Sequence, residues 1–351
     1  MNEVREKGAD IVILITHLGE SDDEDNGYAT NKLVSRVRGI DAVIDGHSHA
    51  TYSNRLVDPD GREIVTAQTG EKLAEIGRMD IAADGTITSQ LIDRVPEPEG
   101  LPYLTVARRN GEVCVDPDMN RLIQKKILEY TPVIDRKIGE VAFDLLYCSE
   151  VGIDFGRSEE TGLANLLSDA YRSVGGADLS LVIAGTVRNE IQQGNITYRD
   201  ILNILPYSND LLRRKLKGQD ILDALEWGAR ILPEGSSSLM QGSGLAYKVD
   251  LSRPGAAVAD PSNSFDHIEG EYRVYDVRIN GEPLDPDRIY TCVLDNFVAE
   301  GGDGFTMLVN DDSIYTGTTN TDVLADFIEH NLNGVIPDNY RNPAGRLLIV
   351  K

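Results

Sequence analysis

Two groups of residues in this chain stand where chemistry can be done: histidines that close apolar runs, and a glycine-rich loop that sets a carboxylate between two rings. His17 follows the run Ile11 to Thr16, and His47 and His49 follow Asp41 to Asp45. Three of the five histidines therefore gather just past two neighbouring apolar runs. Neutral imidazole nitrogens are ligands that zinc, manganese and iron accept, and Gly19 and Gly46 leave room for close approach. A structural histidine is the competing reading, and on the residues alone the two balance. The loop runs Asp295-Asn296-Phe297-Val298-Ala299-Glu300-Gly301-Gly302-Asp303-Gly304-Phe305. Its glycines permit backbone angles closed to other residues, so the chain can turn sharply and approach a ligand. A ring beside a carboxylate suits a planar heterocycle, or a sugar with vicinal hydroxyls. The alternative is a tight turn with both rings in the core, where aromatic side chains are usually found.

Composition narrows the field. The 351 residues suffice for two domains. A formal net charge of −24 argues against nucleic-acid or anionic-membrane binding, which need a basic face. It leaves small phosphorylated ligands open, because these need only a local basic cluster. Cys114, Cys148 and Cys292 are odd in number and widely spaced, so neither a disulfide framework nor a CxxC metal motif is present. No apolar run reaches membrane-spanning length. The stretch Met1 to Lys7 is charged, carries no apolar signal segment, and reads as the end of an amphipathic helix.

The elements that must position these residues can be read from pattern. Ile11 to Thr16 and Asp41 to Asp45 are predicted to be strands, the first fully buried, with a helix over Lys32 to Val37 between them. Histidines then stand at the C-terminal strand ends, where ligand sites gather in layered α/β folds. The acidic loop Ser21 to Asn26 fails as a calcium loop, since Leu33 stands where a bidentate glutamate belongs, and is read as solvated surface. Pro96 to Pro102 marks a boundary. Asp116 and Pro117 then start a helix whose apolar face is Met119, Leu122, Ile123 and Ile127. Beyond it, helices are expected over Leu163 to Val174, Ile201 to Leu205, Gly218 to Ile231 and Val323 to Leu332. Strands are expected over Leu179 to Ala184, Leu239 to Val249 and Tyr272 to Ile279.

Asn296 to Phe305 resembles the nucleoside-binding loop of the 5'-nucleotidase family, which includes UDP-sugar hydrolases and 2',3'-cyclic-nucleotide phosphodiesterases. Thr16-His17-Leu18-Gly19 and Gly46-His47-Ser48-His49 resemble the last two metal motifs of that family's calcineurin-like metallophosphatase domain. The resemblance implies that His17 and His47 ligate one divalent metal of a two-metal centre (zinc, manganese or similar), and His49 the other. Thr186 to Asn209 resembles the GxR(N/D)xI…GxIt…PF-x-N pattern. It implies a substrate-contacting Arg188, a base-stacking Tyr207 and a base-contacting Asn209. Thr161 to Leu167 resembles a TNxxGNLL helix start, with Arg157 ahead of it as a phosphate-side arginine; Ile153 stands where some members carry a partner arginine. Taken alone, each arginine reads more readily as a surface ion pair in a very acidic protein. Gly244 also falls in family order, and Asp303 is implied to accept from ribose hydroxyls.

The implied architecture is α/β: residues 1–95 as the back half of a metallophosphatase β-sandwich, 96–135 as linker and connecting helix, and 136–351 as the substrate-binding domain. The family's DxHG, GDxxxG and GNHE/D motifs do not occur in the chain, and three histidines cannot hold a dinuclear site with its nucleophilic water. Two expectations follow. One is metal-dependent hydrolysis of nucleotide phosphate esters, as in the family. The other is a catalytically incompetent module that keeps nucleoside recognition. Members of the family are mostly periplasmic, extracellular or on the cell surface.

Overall fold

The structure, a computed structural model, describes residues 1–20, 29–71, 75–93, 106–109, 112–115, 117–147 and 155–350. The acidic loop 21–26, the segment 96–102, Asp116 and Ile153 lie outside these residues. The chain divides into two compact units, Met1–Glu129 and Tyr130–Lys351.

The first unit is built on a four-stranded sheet. Its strands are β1 (Ile13–Ile15), β2 (Ala42–Ile44), β3 (Thr51–Val57) and β4 (Glu63–Thr69), in the order β1-β2-β4-β3. β1 and β2 are parallel, with α1 (Thr30–Arg36) between them in sequence. Parallel strands need such a crossover. Val34 of α1 packs with Ile40, Val43 and Ile64 in one small core; Ala42, Val65 and Ile87 form another. The strand at Ile11 to Thr16 is shorter than predicted and is not buried: Ile15 is 84% exposed. β1 is an edge strand, and only Leu14, which points inward, joins the small core. A hairpin, β5 (Glu75–Ile81) with β6 (Ile87–Asp93), follows in sequence.

Helix α2 (Pro117–Ile134) forms where Pro117 predicts its first turn. None of its residues is fully buried. Ile123, Ile127, Thr131 and Ile134 are half-buried, whereas Met119 and Leu122, predicted on the same face, are exposed. With Asn120, the half-buried positions follow one narrow line at spacings of three, four, four and three. Met119 and Leu122 fall beside it.

The second unit contains a five-stranded sheet covered on both faces. Its strands are β7 (Leu179–Ile183), β8 (Asp210–Lys217), β9 (Met240–Ser243), β12 (Ile289–Asp295) and β13 (Ser313–Thr319), in the order β9-β7-β12-β8-β13. Side chains alternate between the faces, as the pleat requires. Val182, Leu211 and Val293 join a core with α3 (Gly162–Ser173), α4 (Tyr198–Ile204) and α6 (Asn320–Asp326). Leu179, Leu181, Ile183, Leu212 and Leu294 join another with α5 (Gly218–Ala229), whose Trp227 is wholly buried. Thr161 caps α3 by accepting from the Ala164 amide at 3.1 Å. The single strand predicted over Leu239 to Val249 is two strands. Gly244 adopts φ +68° and breaks it, and β10 (Leu245–Asp250) pairs with β11 (Val274–Ile279) and β14 (Leu347–Val350) in a separate sheet. A Cβ there would lie 2.4 Å from the Asp178 carbonyl, so both conformation and space demand glycine.

Candidate functional site

Strand direction decides which residues meet. β7 and β12 are parallel, so Ile183 and Asp295 finish at the same end of the sheet. β8 and β9 run against them: Leu211 pairs with Asp295, and Met240 pairs with Ile183. The segment after β7 carries Arg188, the segment before β8 carries Tyr207 and Asn209, and the segment after β12 carries Phe297 and Asp303. All three open from one end. The loop before β9 joins them, because the Gly185 amide donates to the Ser237 carbonyl at 2.7 Å. Arg157 is drawn to the same place, its carbonyl accepting from the Ser236 amide at 2.9 Å.

Gly244 does not join this group. It lies beyond Ser243, which pairs with Ser180 near the start of β7, at the opposite end of that strand. Its residue type suits a backbone turn, and its place in the fold separates it from the loops. Ser237 was not expected. Its hydroxyl donates to Asp303 Oδ2 at 3.3 Å. In sequence it lies in the run Ser236-Ser237-Ser238 after Glu234-Gly235, which signals a loop but carries no chemistry of its own.

The two rings of the glycine loop part company. Phe305 is buried and packs in the core with Trp227, whereas Phe297 is 44% exposed. Asp295 accepts from the Val298 amide at 3.0 Å and so caps the one-turn helix Asn296–Ala299 that presents Phe297. Gly302 packs directly on that ring: a Cβ at this position would lie 2.6 Å from its edge. Asp303 is exposed and holds φ +50°, a conformation costly for most non-glycine residues. Its carbonyl accepts from the Trp227 indole N–H at 2.8 Å.

Arg214, on β8, fastens this loop from beneath. Its guanidinium donates to the carbonyls of Ala299 at 2.5 Å and Leu308 at 2.6 Å, and to Ser313 Oγ at 2.6 Å. Burial pushes its pKa down from the ordinary arginine value. Arg214→Ala strands two buried carbonyls and is expected to cost about 2–3 kcal/mol of stability in the second unit. Chemical denaturation followed by Trp227 fluorescence measures this, and Arg214→Lys should recover only part of the loss because an ammonium lacks the planar fork.

Arg188 and Tyr207 form a pair. The guanidinium lies 5.3 Å from the ring centroid, within cation–π range, while Arg188 Nε donates to the Gly185 carbonyl at 2.7 Å. Tyr207 is 60% exposed, so its ring is open to a ligand. Asn209 is partly buried, and its side chain is among the groups that hold the Asp295 carboxyl down against the effect of burial.

In the first unit, His17 and His47 stand edge-to-face with ring centroids 5.2 Å apart. Gly46 makes this possible, since a Cβ there would lie 2.8 Å from His17 Nδ1. His49 turns instead to Glu71, with Nδ1 3.1 Å from Oε2. His47 and His49 hold φ +85° and +55°, backbone strain concentrated in the Gly46-His47-Ser48-His49 turn. Among the described residues no three His, Cys, Asp or Glu side chains converge as a metal site would require. The residues present fit part of a donor set, the His17–His47 pair, and do not complete one.

Asp45 builds the two histidine loops. Oδ1 accepts from the Leu18 amide at 2.9 Å, the Gly46 amide at 2.8 Å and Thr16 Oγ1 at 2.9 Å. Oδ2 accepts from Thr30 Oγ1 at 2.5 Å and Tyr52 OH at 3.0 Å. Burial pushes this carboxyl up, but the hydrogen bonds from Thr30, Leu18, Gly46 and Thr16 outweigh it and hold the pKa below 3.8. A lowered folded-state value means that the stabilisation is complete above the ordinary carboxyl range and fades as pH falls through the folded value. Protection of the Leu18 and Gly46 amides from hydrogen exchange is therefore expected to hold at about pH 6 and to fade in acid below the ordinary carboxyl range. In Asp45→Asn it should be weak in both conditions.

A sheet covered by helices on both faces, with aromatic, acidic and basic side chains opening from one end, makes an α/β domain whose open sheet end is the candidate ligand site. Residues 137–310 match the family model described as the 5'-nucleotidase, C-terminal domain, and through that domain the chain belongs to the 5'-nucleotidase family. Among curated proteins, it is 28% identical over 351 residues to the protein UshA of Yersinia enterocolitica, covering 91% of this chain and 58% of that one. It is 27% identical over 308 residues to the trifunctional nucleotide phosphoesterase protein YfkN of Bacillus subtilis, covering 84% of this chain and 18% of that one. The chain thus spans less than two thirds of the length of these relatives. The crystal structure of a 5'-nucleotidase precursor from Thermus thermophilus shares the fold over 100% of this chain and 66% of its own, at a TM-score of 0.66 and 24% identity.

Proposed function

We propose that the second unit binds the nucleoside part of a nucleotide at the open end of its five-stranded sheet. Tyr207 and Phe297 would provide stacking faces, Asp303 would accept from the ribose hydroxyls, and Arg157 and Arg188 would meet the acidic part of the ligand. The observation that carries this reading is the convergence of three sequence-distant segments, each bringing an exposed aromatic, acidic or basic side chain to one sheet end. A stacking face tolerates any base, and an arginine fork suits phosphate oxygens. The name of YfkN, a trifunctional nucleotide phosphoesterase, supports nucleotides as the ligand class and phosphoester hydrolysis as the reaction of the whole protein. A divalent metal bound at His17 and His47 would activate water or polarise a phosphoryl oxygen in such a reaction.

The second reading is a nucleoside-binding module without turnover. It is favoured by the donor set itself, because among the described residues the His17–His47 pair has no third ligand beside it. One experiment separates the two. Phosphate release is measured from AMP, UDP-glucose and 2',3'-cyclic AMP with Mn²⁺ or Zn²⁺ supplied, alongside adenosine binding by calorimetry. Turnover abolished by His47→Ala supports hydrolysis by this chain. Adenosine binding without turnover supports the module, and absence of both overturns the nucleoside reading.

A further inference from the structure

We infer that Asp295 is a positioning residue that couples the two aromatic loops, so that Tyr207 and Phe297 are held in register by one buried carboxylate. The inference rests on the nucleoside reading for its ligand but not for its geometry. Asp295 is the last residue of β12 and is 1% exposed. It touches all three segments that open from the sheet end. Oδ1 accepts from the Val298 amide at 3.0 Å, fixing the turn of helix that presents Phe297. Oδ2 lies 3.5 Å from Thr186 Oγ1, two residues before Arg188. The Asn209 side chain, two residues after Tyr207, is close enough to help hold the pKa of the same carboxyl down. The adjacent backbone is fixed as well, since Leu211 is the register partner of Asp295.

A residue kept only for stability would not be built this way. Burial pushes the Asp295 carboxyl up, with the nearby Asp303 charge adding to the effect, against the hydrogen bonds from Val298, Asn209 and Thr186. A raised folded-state value means that its contribution to stability is lost as pH rises through that value. Ionising this group in the folded protein therefore costs stability. Such a cost is expected where a side chain serves a site.

The test compares wild type with Asp295→Asn and Asp295→Ala. Hydrogen exchange is read at residues 186–188, 207–209 and 297–299, together with adenosine affinity and melting temperature. Asp295→Ala is expected to speed exchange in all three segments together and to weaken adenosine by about tenfold. Asp295→Asn keeps an acceptor for the Val298 amide but places a donor toward Asn209 and Thr186. It should loosen 207–209 more than 297–299 and weaken adenosine, with a melting temperature equal to or above that of wild type. Faster exchange confined to 297–299 would make Asp295 a helix cap and nothing more, overturning the inference. So would unchanged adenosine affinity in either variant of a binding-competent protein. If wild type binds no adenosine, the nucleoside reading falls, and the exchange pattern still decides whether Asp295 couples the loops. If the alanine variant does not fold, the asparagine variant carries the same decision.

Discussion

Phe297→Ala is expected to weaken adenosine binding by about 10- to 100-fold while leaving the fold intact, the range that base–aromatic stacking supplies. Both halves of that expectation come from position. Phe297 is 44% exposed, so its removal leaves no large cavity in the core. The turn that presents it is fixed by backbone contacts that survive the substitution: the Asp295 cap, and the Arg214 donors to Ala299 and Leu308. Phe305→Ala is the informative contrast. That ring is wholly buried beside Trp227, so its loss should cost about 3–5 kcal/mol of stability. Calorimetric titration with adenosine, paired with thermal unfolding of each variant, separates the two. Affinity loss in Phe297→Ala matched by an equal fall in melting temperature would point to general loosening and not to a stacking face.

Amide exchange is expected to be faster in the sheet of Met1–Glu129 than in that of Tyr130–Lys351, on the order of 100-fold or more. Apolar burial per strand differs sharply between the two. The described cores of the first unit are Val34, Ile40, Val43 and Ile64, and Ala42, Val65 and Ile87. Each face of the five-stranded sheet in the second unit is packed against helices, the edge strand β13 excepted. β1 is moreover an edge strand that turns Ile15 to solvent, and Ile44 on the neighbouring strand is also exposed. An edge of this kind offers unpaired backbone groups and apolar surface together, which favours opening and association. Hydrogen exchange by mass spectrometry reads the difference directly. Equal protection in β2 and β12 would contradict it.

Much of the second unit could be read from the sequence. The run Leu179 to Ala184 has no polar residue except Ser180, and a strand buried on both faces needs that pattern. The glycines around Asp303 announced a tight loop, and the structure gives the reason at Gly302 and Gly304, where a side chain would strike Phe297 and Trp227. Residue types at Arg188, Tyr207, Asn209 and Phe297 indicated what a site could contain. Sequence pattern also placed the helix at Pro117, because proline in a first turn acts locally.

Tertiary structure decided what depends on direction and on neighbours. Phe297 and Phe305 are the same residue type in one loop, yet one faces solvent and the other the core, because the chain reverses at Gly301 to Gly304 between them. Gly244 follows the strand that passes the site and still lies away from it, since antiparallel pairing carries Ser243 to the far end of β7. Ile11 to Thr16 is apolar enough for a buried strand, but burial depends on what packs against a strand, and Ile15 is left open. Arg214 has no local signature, and Asp295 shows only the residue type of a helix cap. Their work is to hold loops distant in sequence, and only the folded sheet brings those loops within hydrogen-bonding reach. The sequence by itself determined which groups this protein can present to a ligand; the pairing of its strands determined which of them meet, because a strand's register and direction are set by partners far along the chain.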